Sequence, residues 1–439
     1  MSRHGGPRRK NTIQTGDIAL FLCYNKYSLL TLILMFRHKI MIFSKKLKIK
    51  SIREAKDLKG KTVIVRCDLN VPVKDKRVAD NYKIIKSLPT VRFLLSKKAK
   101  IILVSHFGRP KTGAKSKIEN KKYSLKPVAE HLSKLLDKKI IFVDDFTNKD
   151  DLKKLILKEG QIAMLENIRF YKGEEKNDEK FAKKLASLAQ IYVNDAMAVS
   201  HRNHASVSAI KKYLPSYAGI LLQDELEHLR KVLHPSRPFV IIMGGAKIAT
   251  KTVMIKSLKK KAKAILIGGM ITYDFLAAKN LSTGKYKVAD KNKKIAKKIL
   301  NRKIILPLDF VYSDKSDGLD KAKVCAFDSL PKNNFQLDIG PETIKLYAKY
   351  IRNAKTIVWN GPMGMFESEH FKHGTLAIAR LVASKSRGKA FGLVGGGETT
   401  EALKMTGDVD YVDWVSTGGG AMLAYLAGEK MPGLKGITQ

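Results

Sequence analysis

The sequence predicts an α/β protein of two lobes, each a parallel sheet flanked by helices, joined by one hinge helix. Three observations carry that prediction. Short β-branched apolar runs alternate with amphipathic lysine-rich segments, the pattern of strands covered on both faces by helices. The runs fall into two series separated by a single helical stretch. A chain of 439 residues with 44% hydrophobic content can also bury more than one core.

Taken in order, the first series of strands is predicted at 62–66, 101–105, 140–143, 162–165 and 191–194. A helix over 221–233 follows, with acidic residues in its early turns and Arg230 and Lys231 near its end, as the helix dipole favours. The second series opens after Pro235 and Pro238, at 239–243, 264–267, 304–306, 356–359 and 390–394. Each series reads as a Rossmann-like βα repeat. The organisation expected is an extension at 1–46 outside the fold, a first lobe at 47–220, a joining helix at 221–235, a second lobe at 236–425 and a tail at 426–439.

Charge and cysteine content bound the chemistry. Lysine and arginine number 84 against 40 acidic residues, a formal charge of +44 that attracts anions without naming one. Most of the excess is lysine on predicted solvated helix faces. Cys23, Cys67 and Cys325 have no metal-ligand or disulfide spacing, which fits a reducing cytoplasm. The basic 3–10 stretch followed by an apolar run at 18–36 has the order of a signal or anchor, but Asn25 and Lys26 interrupt it. Its unbroken part, 28–36, is far short of the roughly 20 residues a membrane helix needs. Translation starting at Met35 or Met41 is the expected explanation, with a weak membrane tether as the alternative.

Open parallel sheets bind ligands at the carboxyl ends of their strands, and those ends differ between the two series. In the first they carry Asp68 and Asn70 (RCDLNVP), His106 and Arg109 (SHFGRP), Arg169 (LENIRF), and His201, Arg202 and His204 (SHRNHAS). Arginines after successive strands suit an anionic ligand, because a guanidinium grips phosphate through paired hydrogen bonds. Any one alone reads as a surface ion pair. In the second series the ends are glycine-rich: Gly244-Gly245-Ala246-Lys247, Gly268-Gly269, Asn360-Gly361-Pro362, Gly395-Gly396-Gly397-Glu398-Thr399 and Gly418-Gly419-Gly420. Glycine lets phosphate approach the backbone, and a helix beginning there aims free N–H groups at the anion. Lys247 and Lys251, four apart, fall on one helical face if the segment after Gly245 is helical, as the pattern at 248–258 suggests. No Walker loop, protein-kinase signature or GxGxxG turn is present, so a different nucleotide-binding design is required.

From about Leu47 onward the chain resembles the phosphoglycerate kinase family, through VRCDLNVP, SHFGRP, LENIRF, HRNHAS, GGAKIATK, DIGPET, WNGPMGMFE, GGGETT and STGGGA in the family's order. The resemblance implies reversible phosphoryl transfer from 1,3-bisphosphoglycerate to ADP, giving 3-phosphoglycerate and ATP in glycolysis. It implies Mg²⁺ as the nucleotide's metal, a monomer, and no specific nucleic-acid or membrane partner. By position, Asp68, Leu69, Asn70, Lys83, His106, Phe107, Gly108, Arg109, Arg169 and Arg202 are the phosphoglycerate residues. Lys247, Lys251, Gly269, Asn360, Gly361, Pro362, Glu367, Gly396, Gly397, Glu398 and Thr399 are the nucleotide residues, with Glu367 at the ribose. Lys83, Lys251, Gly397 and Gly420 carry catalysis, Glu398 joins the nucleotide phosphates at the metal, and the tail after Gly428 returns to the first lobe.

Two positions depart from the family pattern. Lys83 stands where the family has an arginine facing the transferred group, keeping charge but losing the fork. Glu398 stands where an aspartate is usual, one methylene longer. These departures motivate one competing reading, a ligand-binding scaffold without turnover. A polyanion-binding protein is the other, motivated by the charge, but 8% aromatic content and the absence of an RNA-recognition signature point only to salt-sensitive nonspecific binding. His131, His234 and His373 are expected to have no chemistry, and His201 and His204 to shape the substrate loop.

Overall fold

The computed structural model describes residues 48–111, 121–317, 319 and 321–438. The N-terminal extension, its apolar run and Cys23 lie outside the described residues. Ile49–Thr438 form one compact unit. Its strands are β1 (Thr62–Cys67), β2 (Val73–Lys74), β3 (Arg77–Val78), β4 (Lys100–Val104), β5 (Ile140–Val143), β6 (Ile162–Leu165), β7 (Ile191–Asp195) and β8 (Ser216–Ala218), then β9 (Phe239–Met243), β10 (Ala264–Ile267), β11 (Ile304–Ile305), β12 (Asp309–Ser313), β13 (Lys323–Ala326), β14 (Phe335–Ile339), β15 (Thr356–Asn360), β16 (Phe391–Gly395) and β17 (Trp414–Ser416). The helices are α1 (Tyr82–Ser96), α2 (Lys126–Leu136), α3 (Lys149–Lys153), α4 (Lys172–Glu175), α5 (Glu179–Ala186), α6 (Ile220–Leu233), α7 (Ile248–Leu258), α8 (Ile271–Ala278), α9 (Asp290–Ile299), α10 (Pro341–Asn353), α11 (His373–Ser386), α12 (Gly397–Met405) and α13 (Gly420–Leu426).

Two six-stranded parallel sheets result, in the orders β5-β6-β4-β1-β7-β8 and β11-β10-β9-β15-β16-β17. The α/β fold with two parallel sheets matches the expectation. In the second sheet the order reverses between β9 and β15, and in the first between β1 and β7. These are the switch points where adjacent loops diverge and leave a crevice. Central strands such as β9 and β15 are buried throughout, which is why they read as continuous apolar runs rather than alternating ones.

The structure adds elements that the periodicity did not show. β8 and β17 close one edge of each sheet with three residues apiece, too few to display a period. An antiparallel sheet of order β13-β12-β14 lies within the second half of the chain. Among the described residues no helix is long and apolar enough to cross a membrane.

Helix α6 links the two sheets through its buried positions. Glu225, fully buried, accepts hydrogen bonds from Trp414 Nε1 (2.9 Å), Ser416 Oγ (2.8 Å), and the backbone and hydroxyl of Thr417 (2.6 and 2.8 Å). At its other end Ile220 N donates to Thr90 Oγ1 (2.9 Å) and Leu222 N to Asp195 Oδ1 (3.1 Å), so α1 and β7 satisfy N–H groups that the helix itself leaves free. The chain end reaches the first sheet: Asn194 Nδ2 donates to Gly433 O (3.1 Å), Gly433 N to Ser200 O (2.8 Å) and Lys50 N to Ile437 O (2.8 Å).

Asp195 gives a pH prediction at this junction. Burial pushes its carboxyl up to about 7, outweighing the hydrogen bonds it accepts, and Oδ2 has no hydrogen-bond partner among the described residues. A carboxyl whose pKa is raised by folding binds more protons folded than unfolded, so its stabilising contribution is lost as pH rises from about 4 to about 7. Asp195→Asn keeps the acceptor for Leu222 N and removes that loss. Its melting temperature, followed by circular dichroism, is expected to match the parent near pH 4 and exceed it increasingly up to pH 7; a pH-independent difference would refute the assignment.

Candidate active site

At the carboxyl end of the first sheet a buried scaffold holds a cluster of cations. Arg66, 1% exposed, donates from Nε to Ser206 Oγ (2.9 Å) and from Nη1 to Cys67 O (2.6 Å). Ser206 in turn donates from Oγ and N to the two oxygens of buried Glu174 (2.7 and 2.8 Å), and His204 Nδ1 lies 3.7 Å from the same carboxylate. Burial opposes the Glu174 charge, but His204, Arg66 and Ser206 together hold its carboxyl below the usual range. The scaffold is therefore charged and internally paired.

The predicted phosphoglycerate residues sit on this base. Asn70 Oδ1 accepts from Gly108 N (2.9 Å), and Gly108 O accepts from Arg169 Nη1 (2.7 Å), so the loops after β1, β4 and β6 are tied together. Lys83, at the start of α1, pairs with Asp68 at 2.8 Å; Asp68 is 3% exposed and Lys83 32%. His106 lies with Nδ1 3.4 Å from Arg66 Nη2, and burial, followed by the fields of Arg66, Arg169, Lys83 and Arg202, drives its pKa well below the ordinary value. It is a neutral ring among cations. Leu69 and Phe107 are buried and act through their backbones, Leu69 N donating to Ser105 Oγ and Phe107 N to Asn167 Oδ1. Arg109 is exposed at the rim.

The cluster is electrostatically incomplete. Arg169 Nη2, Arg202 Nε and His201 Nδ1 are buried without a hydrogen-bond partner among the described residues. Glu175 is 3.2 Å from Arg169 Nε, but burial and then the neighbouring Arg202 still push the Arg169 pKa down to about 10. Buried guanidinium donors without acceptors cost free energy, which an oxyanion would relieve.

In the second sheet, three helices begin around one cavity of about 440 Å³. It is lined by Lys247, Lys251, Asn360, Gly361, Gly396, Gly397, Thr399 and Gly420, so the first turns of α7, α12 and α13 face a common space. Gly396 has φ +106°, and a Cβ there would lie 2.9 Å from Asn360 Nδ2 and 3.1 Å from Thr399 Oγ1. Gly361, at φ +95°, would place a Cβ 2.3 Å from Gly244 O. Glycine is required at both. Lys251, 6% exposed, donates to Asn360 Oδ1 (2.6 Å), and Thr399 Oγ1 accepts from Gly361 N (2.7 Å). Lys247 and Lys251 both line this cavity, Lys247 as the exposed, extended residue capping α7 and Lys251 as a buried residue inside the helix.

A second cavity of about 560 Å³ adjoins the first through Gly245, Ala246 and Glu398, which line both. Gly269, Pro362 and Glu367 line it together with Phe335 and the stacked rings of Tyr273 and Tyr286, 4.5 Å apart. An apolar slot continuous with a glycine-lined, cationic cradle has the form required by a nucleoside joined to phosphates.

Comparison with known proteins identifies the family. Residues 52–429 match the phosphoglycerate kinase family. The chain belongs to that family. It is 42% identical over 391 residues to the phosphoglycerate kinase of Thermosipho africanus, covering 87% of this chain and 96% of that one. The cytosolic phosphoglycerate kinase of Triticum aestivum is 41% identical over 394 residues, with coverage of 87% and 96%. The structure of phosphoglycerate kinase from Coxiella burnetii superimposes with a TM-score of 0.76 at 37% identity, over 89% of this chain and 99% of that one. As a phosphoglycerate kinase family member the chain is a phosphotransferase.

Several residues that build the site were not singled out by sequence. Asn167 holds the clamp together, accepting from Phe107 N and Arg169 N (both 3.1 Å) and donating to Phe107 O (2.7 Å) and Tyr123 O (3.0 Å). It lies in the family motif LENIRF, where attention falls on the arginine. Beside Lys83, Tyr82 OH donates to Val415 O (3.0 Å) and Lys404 Nζ to Asp80 Oδ2 (2.7 Å), joining α1 to α12 and β17. No local pattern marks these pairs, which are more than 300 positions apart in sequence.

Proposed function

We propose that this chain transfers the phosphoryl group directly, in line, between 1,3-bisphosphoglycerate bound at the first sheet and Mg-ADP bound at the second. The observation that carries this reading is the set of buried nitrogens of Arg169, Arg202 and His201 that have no hydrogen-bond partner among the described residues. Arg109, Arg169 and Arg202 would grip the nonreacting phosphate, with Asp68, Asn70 and His106 orienting the glycerate. Lys247, Lys251 and the N–H groups at Gly396, Gly397 and Gly420 would hold the nucleotide phosphates, and Glu367 the ribose. In-line transfer needs positioning and charge stabilisation, with no covalent intermediate, so neutral His106 is not required as a base.

Mg²⁺ fits one particular donor set. Among the described residues no group of three or more His, Cys, Asp or Glu could hold a metal. One carboxylate, Glu398, lines both nucleotide cavities, and one carboxylate plus substrate phosphates is the way Mg²⁺ is commonly held. The ion would neutralise phosphate charge there. Because the clamp and the cradle belong to different sheets, transfer requires the two lobes, 47–220 and 236–425, to approach about the joining helix, excluding water from the acyl phosphate. A cytoplasmic monomer completes the proposal.

Lys83 is its sharpest test. In a coupled assay for 3-phosphoglycerate- and Mg-dependent ATP consumption, the parent is expected to turn over and Lys83→Ala to lose at least roughly tenfold in kcat, from loss of charge beside the transferred group. Lys83→Arg should retain activity, and Arg109→Ala should act mainly on KM for phosphoglycerate. A parent that binds both substrates tightly yet does not turn over would overthrow the kinase reading in favour of a ligand-binding scaffold.

A further inference from the structure

The opposite end of the second sheet carries its own concave site, of about 740 Å³, between the loops that enter three neighbouring strands. Arg237 precedes β9, Lys260, Lys261 and Lys263 precede β10, and Arg302 and Lys303 precede β11. The strands are parallel, so these entries share one edge. At about 3.3 Å per residue, strands of four or five residues place that edge roughly 15 Å from the glycine turns. The site is separate from the nucleotide cradle.

Its composition is unusual for this chain. No acidic residue lines it, and none of the six cations forms an ion pair among the described residues. Elsewhere lysines pair with acids one turn away, as Lys153 with Asp150, Lys345 with Glu342 and Lys372 with Glu369. The cause lies in the sequence, where no Asp or Glu occurs between Glu227 and Asp274 or between Asp290 and Asp309. Two of the four ammonium groups are anchored on backbone carbonyls: Lys303 donates to Lys259 O (2.9 Å) and Lys260 O (3.3 Å), and Lys261 to Leu233 O. Arg237, Lys260, Lys263 and Arg302 remain exposed around the rim.

Like charges gathered in a concavity add their fields, and an anion carrying several charges gains from all of them while releasing its condensed counterions. The aromatic content decides which polyanion fits. Phe239 is fully buried and Tyr350 is half-buried in the lining, so the pocket lacks the exposed stacking platform with which proteins hold single-stranded nucleic acid. We infer that this pocket binds a compact polyphosphate anion, bearing three or more phosphoryl groups and no base that must stack.

The test uses inorganic tripolyphosphate as probe, titrated calorimetrically into the full-length protein with ADP and 3-phosphoglycerate saturating the cleft. The comparison is with a variant carrying Lys260→Glu, Lys263→Glu and Arg302→Glu, all exposed positions outside the kinase site. Affinity is expected to fall at least tenfold in the variant, and the slope of log affinity against log salt to shrink by about two to three, near one per cation removed. Kinase kcat and KM and the melting temperature should be unchanged, which shows that the variant is folded. Undiminished binding in the triple variant, or binding lost only on Arg169→Ala, would overturn the assignment and place the probe in the cleft. Displacement of tripolyphosphate by a short single-stranded RNA at physiological salt would overturn it in favour of a nucleic-acid surface.

Discussion

Arg169→Ala is expected to lower kcat/KM for 3-phosphoglycerate by about 100- to 1000-fold, with most of the change in KM. The guanidinium donates from Nη1 to Gly108 O at 2.7 Å, and its Nε and Nη2 are buried without a hydrogen-bond partner among the described residues, the Glu175 carboxylate lying 3.2 Å from Nε. A paired, charge-assisted contact to a phosphate in such a site is worth roughly 3–4 kcal/mol, each 1.4 kcal/mol being a factor of ten. The phosphate it would grip does not react, so the loss falls on ground and transition states alike and appears in KM. Arg169→Lys should recover only part, because an ammonium cannot reproduce the fork. Stability should move the other way. Burial and then the neighbouring Arg202 already push the Arg169 pKa down to about 10, so removing the charge from the ligand-free protein relieves desolvation and repulsion. Steady-state kinetics together with a melting curve check both halves: an unchanged KM would mean that Arg169 does not touch the substrate, and a collapsed melting temperature would mean that it serves structure.

Lys251→Met is expected to reduce kcat/KM for the nucleotide by about 100- to 1000-fold, the usual scale for removing one charge-stabilising group from a transfer site. Methionine fills the buried stem but leaves Asn360 Oδ1 without the ammonium that now lies 2.6 Å away. A pH signature accompanies the loss. Burial lowers the Lys251 pKa to about 8, with the Glu398 charge working in the opposite direction. The free protein therefore loses this cation as pH rises through about 8, and kcat/KM for ADP should fall over that range in the parent. The Met variant should lack that limb. Stability has the reverse sign: a lysine whose pKa is depressed by folding binds fewer protons folded than unfolded, so the parent's melting temperature should rise relative to the variant between pH 8 and about 10. A pH–rate profile identical in the two proteins would remove Lys251 from the nucleotide site.

The sequence by itself determined the two runs of parallel strands, the glycine turns of one lobe and the arginines of the other, because these are local properties. A buried parallel strand such as β9 must be continuously apolar, and a turn such as Gly396, held at φ +106° against Asn360, admits no side chain. The proposed residue roles rest on the family motifs. What only the tertiary structure decided is whatever depends on groups distant in sequence. β8 and β17 are strands because neighbours pair with them, since three residues hold no period of their own. Lys247 and Lys251, alike in spacing, differ because one caps α7 in solvent and the other is enclosed beside Asn360. The neutral state of His106, the unpartnered nitrogens of Arg169 and Arg202 and the acid-free edge before β9, β10 and β11 are sums of fields from separate loops. Coulomb energy and desolvation act through space, and the chain's order does not state which charges will share it.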